Sequence, residues 1–544
     1  MIIVDPVTLG DAACTRPSPK WVYDRTGTLV EVPADTLGVT YDPSDLSKAP
    51  YALIEPEATN YIRNNTMQGA SSGILPTNWS ASVNNSGATG MFFEVVGGGS
   101  EDGIDYVDIR FYGNSNIGSS ARILFDNLAG APPAQVGEVL ATAAYMRIVG
   151  GNVSGISRFT IVCDELSSNR TYLSGQVQNI ETPTARALRE QRLSVLSKMS
   201  NPEASFGRPY VSIFLSGGIN IDFTLRVGLP TSEKSIVTSP VKTSGTAVTR
   251  AADVIGPSAG LIYSNVPMVE PPYSATATYA KDAAVYDPAT KIVYWSMQAA
   301  NVGKPLSDPS WWNKRTAINR WAMFDDRNST VTSNPEEIIA VISAKAITQG
   351  FFAGALDASE VRISMTHPTR GVVYSETRSL VLPRSGSSFY GWCFNRLRMR
   401  TWFRTLKLPV FANALVTIAI LKPGGVPKCG MAMLGPTEDG GGTLMGLSTE
   451  LKDYSTTTFF PDGSSDTVVR GFSKRMSVDV TVERDRVEVL EDYFAKRRQK
   501  TLVIFGSTLR GDAMLVGKVS SFRKVIDSYP RSKIALQIEG VLSQ

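Results

Sequence analysis

The sequence predicts a mainly β protein: several β-sandwich or jelly-roll domains in series, a small aromatic domain and a C-terminal α+β domain. Three observations carry this. Short β-branched and aromatic runs recur between clusters of Gly, Asn, Ser and Pro, among them Tyr106–Tyr112, Phe159–Cys163, Ile219–Arg226 and Val416–Leu421. The run Ile219-Asn-Ile-Asp-Phe-Thr-Leu-Arg226 alternates apolar and polar residues, as a strand with one wet face does. Helical periodicity is confined to two stretches, Thr184–Ser200 and Arg484–Gln499.

Residues 1–66 are rich in Pro and Asp with little periodicity and read as an extended N-terminal arm or anchor. Residues 67–240 read as a lectin-like jelly roll, strand after strand at sandwich spacing. Within it, Ala187, Leu188, Leu193 and Leu196 predict a helix over Thr184–Ser200. Residues 241–275 are a linker by their Ser, Thr, Pro and Ala content. A compact aromatic domain follows over 276–324, then a β-sandwich over 325–422. Residues 423–544 form the α+β domain. There Val487, Leu490, Tyr493 and Phe494 line one helix face, between the strands Val478–Val482 and Thr501–Phe505.

Composition excludes several functions. The chain has 544 residues, about three or four domains' worth. With 19% charged and 42% hydrophobic residues it has ample core material. A net charge of +4 is small for this length and argues against a nucleic-acid partner. The single histidine, His367, leaves no material for a Ser-His-Asp triad or a His-rich metal site. No catalytic residue, no metal site and no cofactor is expected. The four cysteines (Cys14, Cys163, Cys393, Cys429) form no CxxC pair and read as reduced, buried thiols. The longest apolar run, Pro409–Leu421, is shorter than the roughly 20 residues a spanning helix needs, so no membrane insertion is expected. The first residues lack a basic region and an unbroken apolar stretch, so no signal peptide is expected and synthesis would be cytoplasmic. The carboxylate pairs Asp325-Asp326, Glu336-Glu337 and Glu438-Asp439 are adjacent in sequence and would point apart within a strand, so no acid/base pair is marked.

Two constellations could carry binding. In the first, three of the eight tryptophans fall within 18 residues. Tyr286, Trp295, Gln298, Asn301, Trp311 and Trp312 combine flat rings with amides. Sugars present apolar C–H faces that stack on such rings, and hydroxyls that amides can bond. The order of these residues resembles the small chitin-binding-type carbohydrate modules over about 40 residues. The bland reading is that the aromatics form the core of a domain with few other core residues. Both can hold together, with Tyr294 inside and Trp295 or Trp311 outside. In the second, Arg396, Arg398 and Arg400 alternate along one strand, with Arg404 following. Guanidinium groups on one face suit an anionic surface or an acidic partner. The alternative is an exposed strand face with local ion pairs.

Several stretches resemble tail proteins of tailed bacteriophages. Val7-Thr-Leu-Gly-Asp-Ala12 is similar to that family's VTLTDA opening, and Ala52–Asn60 to its LLIEEARTN element, with Pro56 a departure. Tyr294–Gly303, Trp311-Trp312 and Asn319–Asp325 resemble its YESLQAGNVG, WW and NRWAMFD segments. Val426–Gly430 and Ile538-Glu-Gly540 resemble its later strands. The resemblance implies a non-enzymatic structural component of a phage tail, a tail fibre or appendage subunit in the virion. It would attach to other phage tail proteins, form a homo-oligomer, and touch a host surface glycan or lipopolysaccharide. A purely architectural subunit that binds only virion neighbours is the alternative, and a polysaccharide depolymerase the third reading.

Overall fold

The computed structural model describes residues 1–85, 90–116, 118–327, 329–382, 389–394, 398–508, 510–511, 513–526 and 530–541. It is 52% strand and 5% helix. The chain divides into two compact units, one of Cys14–Lys48 with Ala52–Gly256, the other of Met1–Ala13, Ala49–Tyr51 and Pro257–Gln544. The residues read as an arm, 1–66, carry eight short strands distributed over both units.

The first unit is a sandwich of two five-stranded antiparallel sheets. One runs in the order Met91–Glu101, Ile104–Asn114, Asn220–Lys234, Val139–Asn152, Arg192–Lys198. The other runs Tyr172–Ile180, Ile156–Leu166, Phe206–Leu215, Ser120–Leu124, Ser80–Asn84. Alternation drives the assembly. Val107, Ile109 and Phe111 point inward from one sheet and meet Ile161, Val211 and Ile213 from the other, all fully buried. The Phe111 and Phe223 rings lie 5.6 Å apart within this layer. Each such side chain contributes about 1.5–3 kcal/mol by leaving water. A bulge falls between Ile148 and Gly150 of the long strand, and Gly151 just beyond it lets the two backbones approach: its φ is +85°, and a Cβ would sit 2.1 Å from the Asp222 carbonyl oxygen.

The helix expected over Thr184–Ser200 is not formed. A 3-10 turn, Leu188–Glu190, is followed by the edge strand Arg192–Lys198, which pairs with Val139–Tyr145. Leu193 and Val195 face the core with period two, whereas Leu196 is exposed. Burial of a two-residue alternation and a seven-residue ladder outweighs the local helical spacing. Gln191 fixes the turn by accepting from the Thr184 amide at 2.7 Å.

The N-terminal part of this unit is tied to it by buried charge. Arg16 Nη1 lies 2.8 Å from Asp253 Oδ1, and Lys20 Nζ lies 2.6 Å from Asp253 Oδ2; all three side chains are fully buried. Glu55 extends the cluster to Lys20 at 2.9 Å and to Arg250 at 3.1 Å.

The second unit contains a sandwich of a six-stranded and a four-stranded sheet. The six-stranded sheet is centred on Glu337–Ser343, Leu415–Leu421 and Glu360–His367. The four-stranded sheet includes Gly350–Asp357 and Lys428–Gly435. Ile338, Ile342, Phe351, Ile363, Ile418 and Leu434 fill the space between them. The same unit carries an eight-stranded sheet covered by the helix Arg484–Lys496, as the C-terminal α+β reading expects. Val487, Leu490 and Phe494 are the buried face of that helix. Ile2–Val4 is a central strand here, paired on one side with Thr437–Asp439 and on the other with Leu502–Phe505. Among the described residues no helix is long and apolar enough to cross a membrane.

Candidate functional site

The aromatic segment folds as a three-stranded antiparallel sheet, Ala284–Tyr286, Ile292–Ser296 and Trp312–Ala317. Its register sorts the six sequence-selected residues into two groups. Ser296 pairs with Trp312 and Trp295 with Asn313. The Met297 amide donates to the Trp311 carbonyl at 2.9 Å. Residues within the strands alternate between faces, so Trp295 and Asn313 share one face and Ser296 and Trp312 the other; Met297 and Trp311 follow just beyond the strand ends, and Arg315 reaches the Trp295 ring.

The second face is core. Trp312 is buried, its Nε1 donates to the Lys304 carbonyl at 3.0 Å, and its ring packs edge-on against Tyr279 and Tyr273 at 5.4 and 5.7 Å. Asn301 is fully buried. It exchanges two backbone bonds with Tyr279, and its Nδ2 donates to Ser296 Oγ at 2.9 Å. Tyr286 is half-buried and packs against the core of the neighbouring sandwich. Tyr286, Asn301 and Trp312 therefore hold the module together, the role a small domain demands of its few large side chains.

The first face is open. Trp295 is 41% exposed and Met297 48%. The Arg315 guanidinium lies 4.4 Å from the centre of the Trp295 ring, and the Lys304 ammonium 5.0 Å from that of Trp311. These cations are attracted to the ring quadrupoles and fix the ring planes. Gln298, also exposed, donates through Nε2 to the Ser310 carbonyl at 3.0 Å, and its side-chain carbonyl oxygen is a further acceptor. The face thus offers two ring platforms, amides from Gln298 and Asn313, and two cationic donors. Sequence reasoning missed Arg315, Lys304, Asn313 and Met297. The parity of Trp295 and Arg315 becomes visible only once the strand register is known.

The basic constellation does not form one strand. Arg398-Met399 pairs with Val381-Leu382, and a separate strand, Trp402–Thr405, follows; Arg396 lies outside the described residues. Arg398 is exposed. The Arg400 guanidinium stacks over the Trp402 ring at 4.9 Å. Arg404 stacks over Phe505 at 4.9 Å and donates to the Thr508 carbonyl at 2.7 Å. The single alternating face is lost because Arg398 and Arg404 belong to different strands, with Arg400 in the connection between them.

Among the described residues no group of three His, Cys, Asp or Glu side chains could hold a metal ion. Asp325 and Asp326 line a cavity of about 450 Å³ with Lys500 and Lys518. Burial pushes both carboxyls up, and Asp325 adds to the effect on Asp326, while Thr330 and the two lysines oppose it. Asp325 is committed to Thr330 Oγ1 at 2.7–2.8 Å.

No protein-family model and no curated protein matches the chain. Among solved structures it is similar to the family 11 carbohydrate-binding module of a cellulosomal cellulase of Clostridium thermocellum. The identity is 10% and the TM-score 0.19, over 31% of this chain and 96% of that one. It is similar to the xylan-binding CBM22-1 domain from Paenibacillus barcinonensis at 10% identity and a TM-score of 0.17, over 36% and 100%. Allantoicase from Saccharomyces cerevisiae matches at 8% identity and a TM-score of 0.14, over 68% and 92%.

Proposed function

We propose that the chain is a non-enzymatic subunit of a bacteriophage tail whose aromatic module contacts a host surface glycan. The tail assignment rests on the sequence resemblance alone. The glycan contact rests on one observation: exposed Trp295 and Met297 adjoin half-buried Trp311, whose carbonyl accepts from the Met297 amide, with Gln298, Asn313 and Arg315 nearby. A sugar ring stacked there leaves its hydroxyls within reach of amide and guanidinium donors. One such site binds weakly. A homo-oligomer carrying several copies gains avidity by orders of magnitude, so multivalent attachment is the mechanism we assign.

The test is adhesion of labelled, purified protein to intact bacteria, with Trp295→Ala/Trp311→Ala in parallel. Neither ring belongs to the buried core, Trp295 being exposed and Trp311 half-buried, so the variant keeps that core. Loss of adhesion by a folded variant supports the reading. Undiminished adhesion refutes the placement of the contact.

An architectural subunit is the second reading, and one observation favours it. The hairpin of Thr456–Phe459 and Ser465–Val468 is exposed throughout, with Phe459 at 78%. An isolated two-stranded hairpin is marginal in water, and virion neighbours would cover it.

A further inference from the structure

The first unit carries a second candidate surface, on the outward face of the sheet that contains Phe206–Leu215. Val211, Ile213 and Leu215 of that strand point into the core, so Phe206, Arg208, Tyr210, Ser212 and Phe214 lie on the other face, with Tyr210 and Ser212 buried beneath their neighbours and the other three half-buried. An arginine lies against each of the three rings. The Arg170 guanidinium is 4.1 Å from the centre of Phe206, Arg122 is 5.7 Å from that of Tyr210, and Arg158 is 4.1 Å from that of Phe214. Arg208 sits between the first two and pairs with Asp164 at 2.8 Å.

The register shows how this stripe is built. Arg158 lies directly opposite Phe214, Arg208 opposite Asp164, and Arg122 opposite Ser212. Four arginines thus meet one carboxylate, an excess of three positive charges on a chain whose net charge is +4. Arg122 and Arg158 are exposed and have no carboxylate partner among the described residues. The outward face of the other sheet is different. There Arg226 pairs with Asp108 and Glu101, Arg147 with Glu101, and Arg110 with Asp222. The surplus is therefore particular to one face of the sandwich. From Phe206 to Phe214 the stripe is about 26 Å long at the usual rise of a strand. Beside it, Ser80, Ser82 and Asn84 on one flank and Asn179 on the other are exposed hydroxyl and amide groups.

We infer that this stripe binds an acidic polysaccharide, a linear glycan bearing carboxylate groups. Guanidinium forks donate to carboxylates in a bidentate way, and stacking on a ring holds each fork in place before the ligand arrives. The flanking Ser and Asn side chains supply hydrogen bonds to sugar hydroxyls. A single-stranded nucleic acid fits less well, because its bases need exposed rings to stack on and Tyr210, the middle ring of the stripe, is buried.

The test uses the full chain and four immobilised polymers: polygalacturonate, hyaluronan, neutral dextran and single-stranded DNA. Retention on the two acidic glycans with none on dextran is expected. It should weaken at least tenfold in Arg122→Glu/Arg158→Glu, and again when salt is raised from 50 to 500 mM. Arg122→Lys/Arg158→Lys keeps the charge and loses the fork, and should fall between wild type and the glutamate variant. Trp295→Ala/Trp311→Ala should be retained like wild type, which separates this surface from the aromatic module. Equal or stronger retention on DNA, or acidic-glycan retention unchanged in a folded glutamate variant, would overturn the inference.

Discussion

Replacing Asp253 by asparagine should be among the most damaging isosteric changes in the first unit. The carboxylate is fully buried and accepts from Arg16 Nη1 at 2.8 Å, Lys20 Nζ at 2.6 Å and the Glu55 amide at 2.9 Å. Neutralising it leaves two buried cations with less counter-charge. Lys20 keeps Glu55 and the Leu53 carbonyl, and Arg16 keeps the Ser18 and Pro33 carbonyls. Carbonyl dipoles do not replace a carboxylate, and asparagine presents an NH2 group either to Arg16 or to both Lys20 and the Glu55 amide. Breaking a buried pair on one side costs about 3–5 kcal/mol. In a unit of this size each kcal/mol moves Tm by about 2–4 °C, so the loss is about 6–20 °C. The assay is scanning calorimetry of the whole chain at pH 7, assigning the transition by circular dichroism. Asp42→Asn is the control: its partner Lys48 is 54% exposed, and such a pair is worth about 0–1 kcal/mol. An Asp253→Asn transition within about 2 °C of wild type would refute the assignment of this cluster as the N-terminal lock.

Other predictions follow from the same structure. Burial pushes the Glu165 carboxyl up, but bonds from the Ser200 and Asn201 amides and from Gln176 prevail and bring it down to about 2. Burial likewise raises Glu55, and Lys20 with Arg250 outweighs it, leaving a lowered value. Both groups are therefore protonated first in the unfolded chain, near pH 4.3. Their stabilisation is complete above about pH 5 and is lost as pH falls toward 2. The urea midpoint should drop below pH 4.5, with a shallower drop in Glu165→Gln; an identical slope in that variant would count against it. Burial pushes the Cys163 and Cys429 thiols up to about 12, and burial with Asp253 nearby pushes Cys14 up to about 11. Iodoacetamide at pH 8 should spare all three in the native protein and modify them in urea, because only the thiolate reacts; mass spectrometry showing any of them alkylated at the unfolded rate would contradict their burial. Trp312→Ala should cost about 3–5 kcal/mol and expose the 276–324 segment to protease, whereas Trp295→Ala should cost under about 1 kcal/mol. Equal protease sensitivity of the two variants would contradict the division of the module into a core face and an open face.

The strands and the one long helix were legible because their patterns are local. The alternation in Ile219–Arg226 and the helical face of Val487, Leu490 and Phe494 need no partner to be read. Thr184–Ser200 misled because its leucines fit helical spacing over two turns, while its pairing with Val139–Tyr145 lies about 50 residues away in sequence. The aromatic cluster was legible as a composition, but not which ring is core. Adjacent Trp311 and Trp312 are equivalent in sequence; the pairing of Ser296 with Trp312 decides that one is buried and the other is not.

The sequence by itself determined the β class, the position of the C-terminal helix, the presence of a single histidine and the place where aromatic residues concentrate. Each of these depends on residue identity or on spacing within one element. The tertiary structure decided which charges meet. The Arg16, Lys20 and Asp253 cluster joins residues more than 230 positions apart, and the arginines along Phe206–Phe214 come from four separate segments. Long-range register is set by how two sheets bury their apolar faces together, and no local pattern encodes it.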